Sequence, residues 1–218
     1  MRVLVVGASA GTGWQVVQHL LQLGADVTAF ARSAAKLPDL SPRLHRFEGD
    51  AMRPQDLDRA MPGHDAVVVT LGIHESALRV RLFGPARTPS DVRSTGTRMV
   101  IAAMKRHGLR RLVVQTSYGV GPTRAQLPPM TRVVFALLLK PQIADTEKQE
   151  GLVRESGLDW VIVQPVNLTD AHKPGAALAS LAGERHSLTV SRQQVAAYIG
   201  ESIRGAPAVR CTVALSAS

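Results

Sequence analysis

Three glycines, Gly7, Gly11 and Gly13, stand between a run of apolar residues and a helical pattern, and no other feature narrows the fold of this chain as far. Arg2–Val6 (RVLVV) is continuously apolar and ends in glycine, the pattern of a parallel strand buried on both faces. Thr12–Leu23 follows with helical spacing through Val16, Val17, Leu20 and Leu21, and stops at Gly24. Glycine allows the connecting loop to turn sharply, to admit a ligand to its backbone, and to pack its helix closely on the strand. The register is G-x-x-x-G-x-G rather than G-x-G-x-x-G, because Ala8-Ser9 supplies no second glycine. Unpaired N–H groups and the positive end of the helix dipole then face the loop, which suits a phosphate. Strand, turn and helix in this order are the context that makes such a loop a dinucleotide site, with Gly7, Ser9, Ala10, Gly11, Thr12 and Gly13 as its candidate residues. A tight turn without a ligand is the alternative.

The rest of the chain alternates strand and helix patterns. Strands are predicted at Val27–Ala31, Leu44–Phe47, Asp65–Thr70, Leu112–Gln115, Trp160–Val163 and Val209–Leu215. Helices are predicted from Pro54 to Met61, over about Val92–His107, and ending at Leu152–Ser156 before Gly157. Ser191 with Gln194 three residues on forms a capping box for a last helix through Val195, Ile199 and Ile203. This alternation predicts an α/β fold: one Rossmann domain over 1–218, a doubly wound, mainly parallel sheet with helices on both faces. Stretches at about 72–90, 117–142 and 165–185 exceed a minimal unit and are candidate walls of a substrate pocket. The first carries Arg79, Arg81 and Arg87, and the second the apolar segment Val133–Leu139, too short to cross a bilayer.

Composition bears on partners. The formal net charge is +9, but the 26 basic residues are spread from Arg2 to Arg210 and aromatics make up 4%. Spread charge reads as a solvated surface whose field draws in a polyanionic small molecule, and few aromatics disfavour a stacking surface for nucleic acid. No nucleic-acid or membrane partner is expected, and the chain is expected to be a monomer or weak homodimer. A single cysteine, Cys211, forms no internal disulfide, which points to a reducing compartment. The opening residues read as a buried strand rather than a leader, so a cytoplasmic location is expected. Histidine and cysteine show no metal-ligand spacing, and His45, His64 and His107 read as loop or helix-end residues.

The end of the second strand selects the cofactor. A carboxylate there would accept hydrogen bonds from a ribose 2′-OH, as NAD requires. This chain has Phe30-Ala31-Arg32-Ser33. Arg32 suits a 2′-phosphate through charge-assisted hydrogen bonds, with Ser33 adding a hydroxyl, so NADPH is expected over NADH. An exposed loop arginine is the alternative.

The runs Val5–Gly13, Gly49-Asp50, Thr95–Met104, Thr116-Ser117 and Glu155–Pro165 (ESGLDWVIVQP) together resemble the atypical short-chain dehydrogenases with an NAD(P)H-binding domain, in particular the biliverdin-IXβ reductase/flavin reductase type and, more loosely, the NmrA-like proteins. The resemblance covers nearly the whole chain. It implies that Asp50 and Ala51 lie beside the adenine, and that Leu71 and Gly72 run along the adenosine ribose and diphosphate. It implies that Thr116 and Ser117 face the nicotinamide, and that Pro165, Val166 and Asn167 close over it. Flavin-reductase relatives carry a histidine where this chain has Asn167, which puts a proton-donor role there in doubt.

The larger short-chain family uses a Tyr-x-x-x-Lys unit for general acid work. Tyr118 is followed at the fourth position by Pro122, and Tyr198 by Ser202. The unit is absent. What remains is hydride transfer driven by the cofactor to a conjugated acceptor such as a flavin, quinone or linear tetrapyrrole, which takes its proton from water; a flavin would be a substrate rather than a bound prosthetic group. Ser117, Tyr118 and Asn167 are the candidate catalytic residues: Ser117 to hydrogen-bond the acceptor or the carboxamide, Tyr118 to flank the acceptor ring. A strand-end hydroxyl and a structural tyrosine are the alternatives. The run Asp145–Glu150 reads as a solvated helix face, with Lys148 within reach of the crevice. A non-enzymatic redox sensor of the NmrA-like type is the alternative function.

Overall fold

A computed structural model describes residues 1–72, 88–127, 140–171, 175–205 and 209–218. Arg79, Arg81, Arg87 and the Val133–Leu139 segment lie outside the described residues. In chain order the elements are β1 (Arg2–Val6), α1 (Gly11–Gln22), β2 (Asp26–Ala31), β3 (Leu44–Glu48), α2 (Pro54–Ala60), β4 (Ala66–Val69), α3 (Val92–Arg106), β5 (Arg111–Gln115), α4 (Lys140–Arg154), β6 (Asp159–Pro165), β7 (Asn167–Thr169), β8 (Ala177–Ser180), β9 (Thr189–Ser191), α5 (Arg192–Ile203) and β10 (Cys211–Ala217). Short 3-10 turns at Ala34–Lys36 and Gly121–Gln126 complete them.

Eight strands form one sheet in the order β3-β2-β1-β4-β5-β6-β10-β8, parallel throughout except for β8, which runs antiparallel to β10. This is a doubly wound α/β sheet. The chain reverses its winding at β1, which pairs with β2 on one side and β4 on the other. Crevices open at such a switch point, beyond the carboxyl ends of the strands.

The alternation of side chains divides the core in two. Val3 and Val5 of β1 face a cluster completed by Val16, Val17 and Leu20 of α1 and by Val195, Ile199 and Ile203 of α5. Leu4 and Val6 face the other, with Leu57 of α2, Val100 and Met104 of α3, and Val153 of α4. All four β1 residues are fully buried, and each such side chain contributes about 1.5–3 kcal/mol. A strand covered on both faces therefore has no polar alternation to show.

The helix ends follow local chemistry. Gly24 (φ +78°) and Gly157 (φ +73°) take the left-handed conformation that stops α1 and α4. Ser191 Oγ accepts from Gln194 N at 3.1 Å, while Ser191 N donates to Gln194 Oε1 at 3.1 Å, so the capping box at α5 is complete.

Two expectations need correction. His45 is within β3 rather than in a loop. The Asp145–Glu150 run is not a solvated face: Asp145, Thr146, Gln149 and Glu150 are buried, and Lys148 alone of the six is exposed. Strands β7, β8 and β9 lie between the predicted sixth and last strands. β7 and β9 pair in parallel as a separate two-stranded sheet.

Candidate functional site

The glycine loop closes on β4. Gly7 adopts φ +91° and Gly11 φ +55°, conformations that side chains disfavour. A Cβ at Gly13 would come within 2.2 Å of the Gly7 carbonyl oxygen and 2.6 Å of Thr70 Oγ1, so α1 rests against the loop at a distance that only glycine permits. Ser9 and Ala10 form the exposed crest. Ala10 caps α1 with extended backbone (φ −162°, ψ 174°); no side chain caps the helix, and its first turn holds no acid. The terminal N–H groups thus point outward with their dipole uncompensated.

A narrow cleft of about 80 Å³ runs from this loop across the ends of β1, β2 and β4. Gly7, Ser9, Arg32, Asp50, Ala51, Leu71 and Gly72 line it, together with Phe30, Thr70 and Val92. Arg32 Nη2 donates to Thr88 Oγ1 at 3.1 Å, which directs the guanidinium along the cleft rim. Asp50 Oδ1 accepts from Met52 N at 2.9 Å, and Asp50 N donates to Asp56 Oδ2 at 3.0 Å. The Asp56 carboxyl is held below the usual range, first by that backbone hydrogen bond and then by Arg59. Ser33 starts the 3-10 turn and, like Ala10, Gly11, Thr12 and Gly13, is not among the cleft's lining residues.

A second, larger cavity of about 370 Å³ lies past the ends of β5 and β6. Thr116, Ser117, Tyr118, Pro165, Val166 and Asn167 all line it. Thr116 Oγ1 donates to Glu150 Oε1 at 2.7 Å, and the Tyr118 hydroxyl is engaged by Gln126 Oε1 at 3.1 Å and the Gly183 carbonyl at 3.0 Å. Of the three neighbours, Ser117 alone offers a hydroxyl not taken up in this way. The exposed Asn167 is held at the wall by β7, its N–H donating to the Leu188 carbonyl at 3.2 Å.

Behind this wall α4 buries its polar face. Glu150 Oε1 also accepts from Gln164 Nε2 at 2.7 Å, and Glu150 Oε2 from Arg154 Nη2 at 2.7 Å. Gln164 Oε1 in turn accepts from Thr123 Oγ1 at 2.9 Å. One turn earlier, the Asp145 carboxylate takes the N–H groups of Arg93 (3.1 Å) and Ser94 (3.2 Å) and the Ser94 hydroxyl, capping α3 from a neighbouring helix. These bonds fix β5, β6 and both helices around the cavity mouth.

The family model described as NAD(P)H-binding matches residues 7–205, which include both the glycine loop and the cavity wall. The chain belongs to the NAD(P)H-binding family. Within curated proteins, this family member is 26% identical over 164 residues to the NAD(P)H azoreductase of Xenophilus azovorans, covering 75% of this chain and 47% of that protein. It is 30% identical over 126 residues to a 3-beta-hydroxysteroid dehydrogenase of Mycolicibacterium neoaurum, covering 55% and 32%. The chain thus spans from about a third to about half the length of these relatives. Among solved structures, a Rossmann-fold NAD(P)-binding family protein from Shigella flexneri superposes with a TM-score of 0.73 at 25% identity over 99% of this chain and 93% of that one. ChuY, an anaerobillin reductase from Escherichia coli O157:H7, gives 0.78 at 24% over 99% and 96%. A short-chain dehydrogenase/reductase from Veillonella parvula in complex with NADP gives 0.79 at 16% over 99% and 94%. The last two likenesses speak for the fold alone.

The donor set of this NAD(P)H-binding chain fits a dinucleotide. An uncapped helix terminus beside a glycine loop answers a diphosphate, and a cleft with Arg32 at its rim leads away from that loop. Among the described residues no group of His, Cys, Asp and Glu is arranged to hold a metal ion. Arg93, Gln115, Ile143, Thr146 and Leu188, which also line the large cavity, fall outside the stretches expected to wall the pocket, whereas Gln142 and Arg185 fall within them without having been singled out. Nothing in the sequence sets Arg93 and Arg185 apart from the other arginines. Their place emerges only when α3 and the segment before β9 are brought to the ends of β5 and β6.

Proposed function

We propose that this chain is an NADPH-dependent reductase of a flat, conjugated small molecule. The observation that carries the reading is the division of the crevice. The residues expected near the adenosine line the narrow cleft, and those expected near the nicotinamide line the 370 Å³ cavity. When bound, the dinucleotide would supply a hydride. Gly7, Ser9, Ala10, Gly11, Thr12 and Gly13 would receive its diphosphate, Arg32 and Ser33 its 2′-phosphate, and Asp50, Ala51, Leu71 and Gly72 its adenosine. Thr116, Pro165 and Val166 would bound the nicotinamide.

Ser117 would orient the acceptor or the carboxamide by a hydrogen bond, Tyr118 would offer a ring edge, and Asn167 an amide at the rim. Tyr118 and Tyr198 lack a lysine four residues on, so no tyrosine–lysine unit delivers the proton. Conjugated acceptors suit such a site, because their rings delocalise the incoming charge and take a proton from water. The azoreductase among the relatives is in keeping with this class.

The test is NADPH oxidation followed at 340 nm with FMN, dichlorophenolindophenol and simple quinones. Turnover is expected with at least one of them. Micromolar binding of NADPH without turnover of any acceptor would contradict the reductase and leave a dinucleotide-binding sensor in its place.

A further inference from the structure

The large cavity holds a charge that the chemistry above does not use. Arg93 lies in the first turn of α3 and lines the cavity, and its Nε is buried with no hydrogen-bond partner. A buried unpaired donor costs about 1–3 kcal/mol, more when it belongs to a charged group. Such a group calls for an explanation. Asp145 does not provide one, because its carboxylate is taken by the backbone N–H groups of Arg93 and Ser94 and by the Ser94 hydroxyl. Burial draws the Arg93 pKa down from the ordinary arginine value, against the nearby Asp145 charge, and a guanidinium remains cationic under such conditions.

The surroundings reinforce the sign. Arg185 also lines the cavity, with its guanidinium 5.7 Å from the centre of the Tyr118 ring, and no Asp or Glu stands among the described lining residues. Gln115 lines the same space, and its side-chain oxygen is buried and unpartnered. A side chain at Gly72 would meet Arg93 Nη2 at 3.5 Å, so the guanidinium sits between the adenosine cleft and the cavity.

We propose that Arg93 is a specificity-determining residue that receives an oxyanion (a carboxylate, phosphate or sulfonate) carried by the acceptor. A guanidinium carries paired N–H donors that match two oxygens of such a group, and the unpartnered Nε–H of Arg93 leaves that pairing to be filled by a ligand that reaches it. Arg185 adds a second positive charge, and Gln115 offers an acceptor to an N–H or O–H of the same molecule. The substrate class narrows to conjugated molecules bearing an acidic substituent. This rests on the cavity being the acceptor site.

The test is calorimetric titration of the protein saturated with NADP⁺, using two matched pairs: FMN with riboflavin, and 1,4-naphthoquinone-2-sulfonate with 1,4-naphthoquinone. The anionic member of at least one pair is expected to bind about tenfold tighter or more. In Arg93→Met that preference should vanish, and in Arg93→Lys it should persist in reduced form, while the affinity for NADP⁺ stays within about twofold. If the Met variant does not fold, the Lys variant carries the comparison. Absence of preference in both pairs overturns the proposal. So does an Arg93→Met protein that loses NADP⁺ affinity and keeps its preference, since the anion held would then be the dinucleotide's own. Binding requires no turnover, so the two readings fail separately. A protein that prefers the anions but oxidises no NADPH keeps this site and loses the reductase. One that reduces a neutral quinone without preferring the anions does the reverse.

Discussion

Arg32→Glu is expected to raise the dissociation constant for NADPH by about two orders of magnitude while changing that for NADH by much less. Hydrogen bonds to a charged group contribute about 1.5–3 kcal/mol, which is roughly 10- to 150-fold in affinity. The new carboxylate adds repulsion against a 2′-phosphate and offers an acceptor to a ribose 2′-hydroxyl. The direction is set by place. Arg32 follows β2 at the rim of the narrow cleft, and its bond to Thr88 restrains the guanidinium there. Titration of both nucleotides against the native and variant chains checks the effect. An unchanged NADPH affinity in the variant would remove Arg32 from the site. The thermal midpoint without ligand should scarcely move, because Arg32 is exposed.

The largest effect on stability is expected at Glu150. Glu150→Ala should cost about 3–5 kcal/mol, a fall in Tm of about 10 °C for a chain of this size. Glu150 is fully buried, and so is Gln164, one of its donors; Thr116 is nearly so at 2% exposure. Removing the carboxylate leaves the Thr116 hydroxyl and one N–H of Gln164 without their acceptor, the other N–H keeping the Val120 carbonyl, and opens a cavity besides. The Arg154 contribution is smaller, because its side chain is 34% exposed and can turn to solvent. Glu150→Gln keeps the shape and one carbonyl, and should cost about 1–2 kcal/mol. Thermal unfolding of both variants checks the order. A Glu150→Ala midpoint within about 2 °C of the native one would mean that the network does not support the wall.

How much of this was legible in the residues depends on whether local chemistry or packing set the outcome. β1, β4 and β6 announce themselves because a strand covered on both faces carries an unbroken apolar run. The loop glycines, Gly24, Gly157 and the Ser191–Gln194 box are equally readable, since each satisfies a backbone requirement that few residues can meet. β7 and β9 are three residues each, too short for any period to register, and β8 is an edge strand of mixed burial. The polar face of α4 is illegible for another reason. Asp145, Gln149 and Glu150 at helical spacing look like a wetted surface. Only the arrival of Thr97, Thr116, Gln164 and the α3 terminus turns that surface inward. The glycine loop could be read for the same reason as the strands, because Gly7 to Gly13 are consecutive in the chain. The larger cavity draws Arg93, Gln142, Asn167 and Arg185 from four separate segments.

The claim on which the rest depends is that the glycine loop and the Arg32 rim hold a dinucleotide carrying a 2′-phosphate. Isothermal titration of the native chain with NADPH and with NADH tests it most directly. One molecule bound per chain is expected, with NADPH at least about tenfold tighter than NADH. Equal affinities, or no heat from either nucleotide at millimolar concentration, would contradict it.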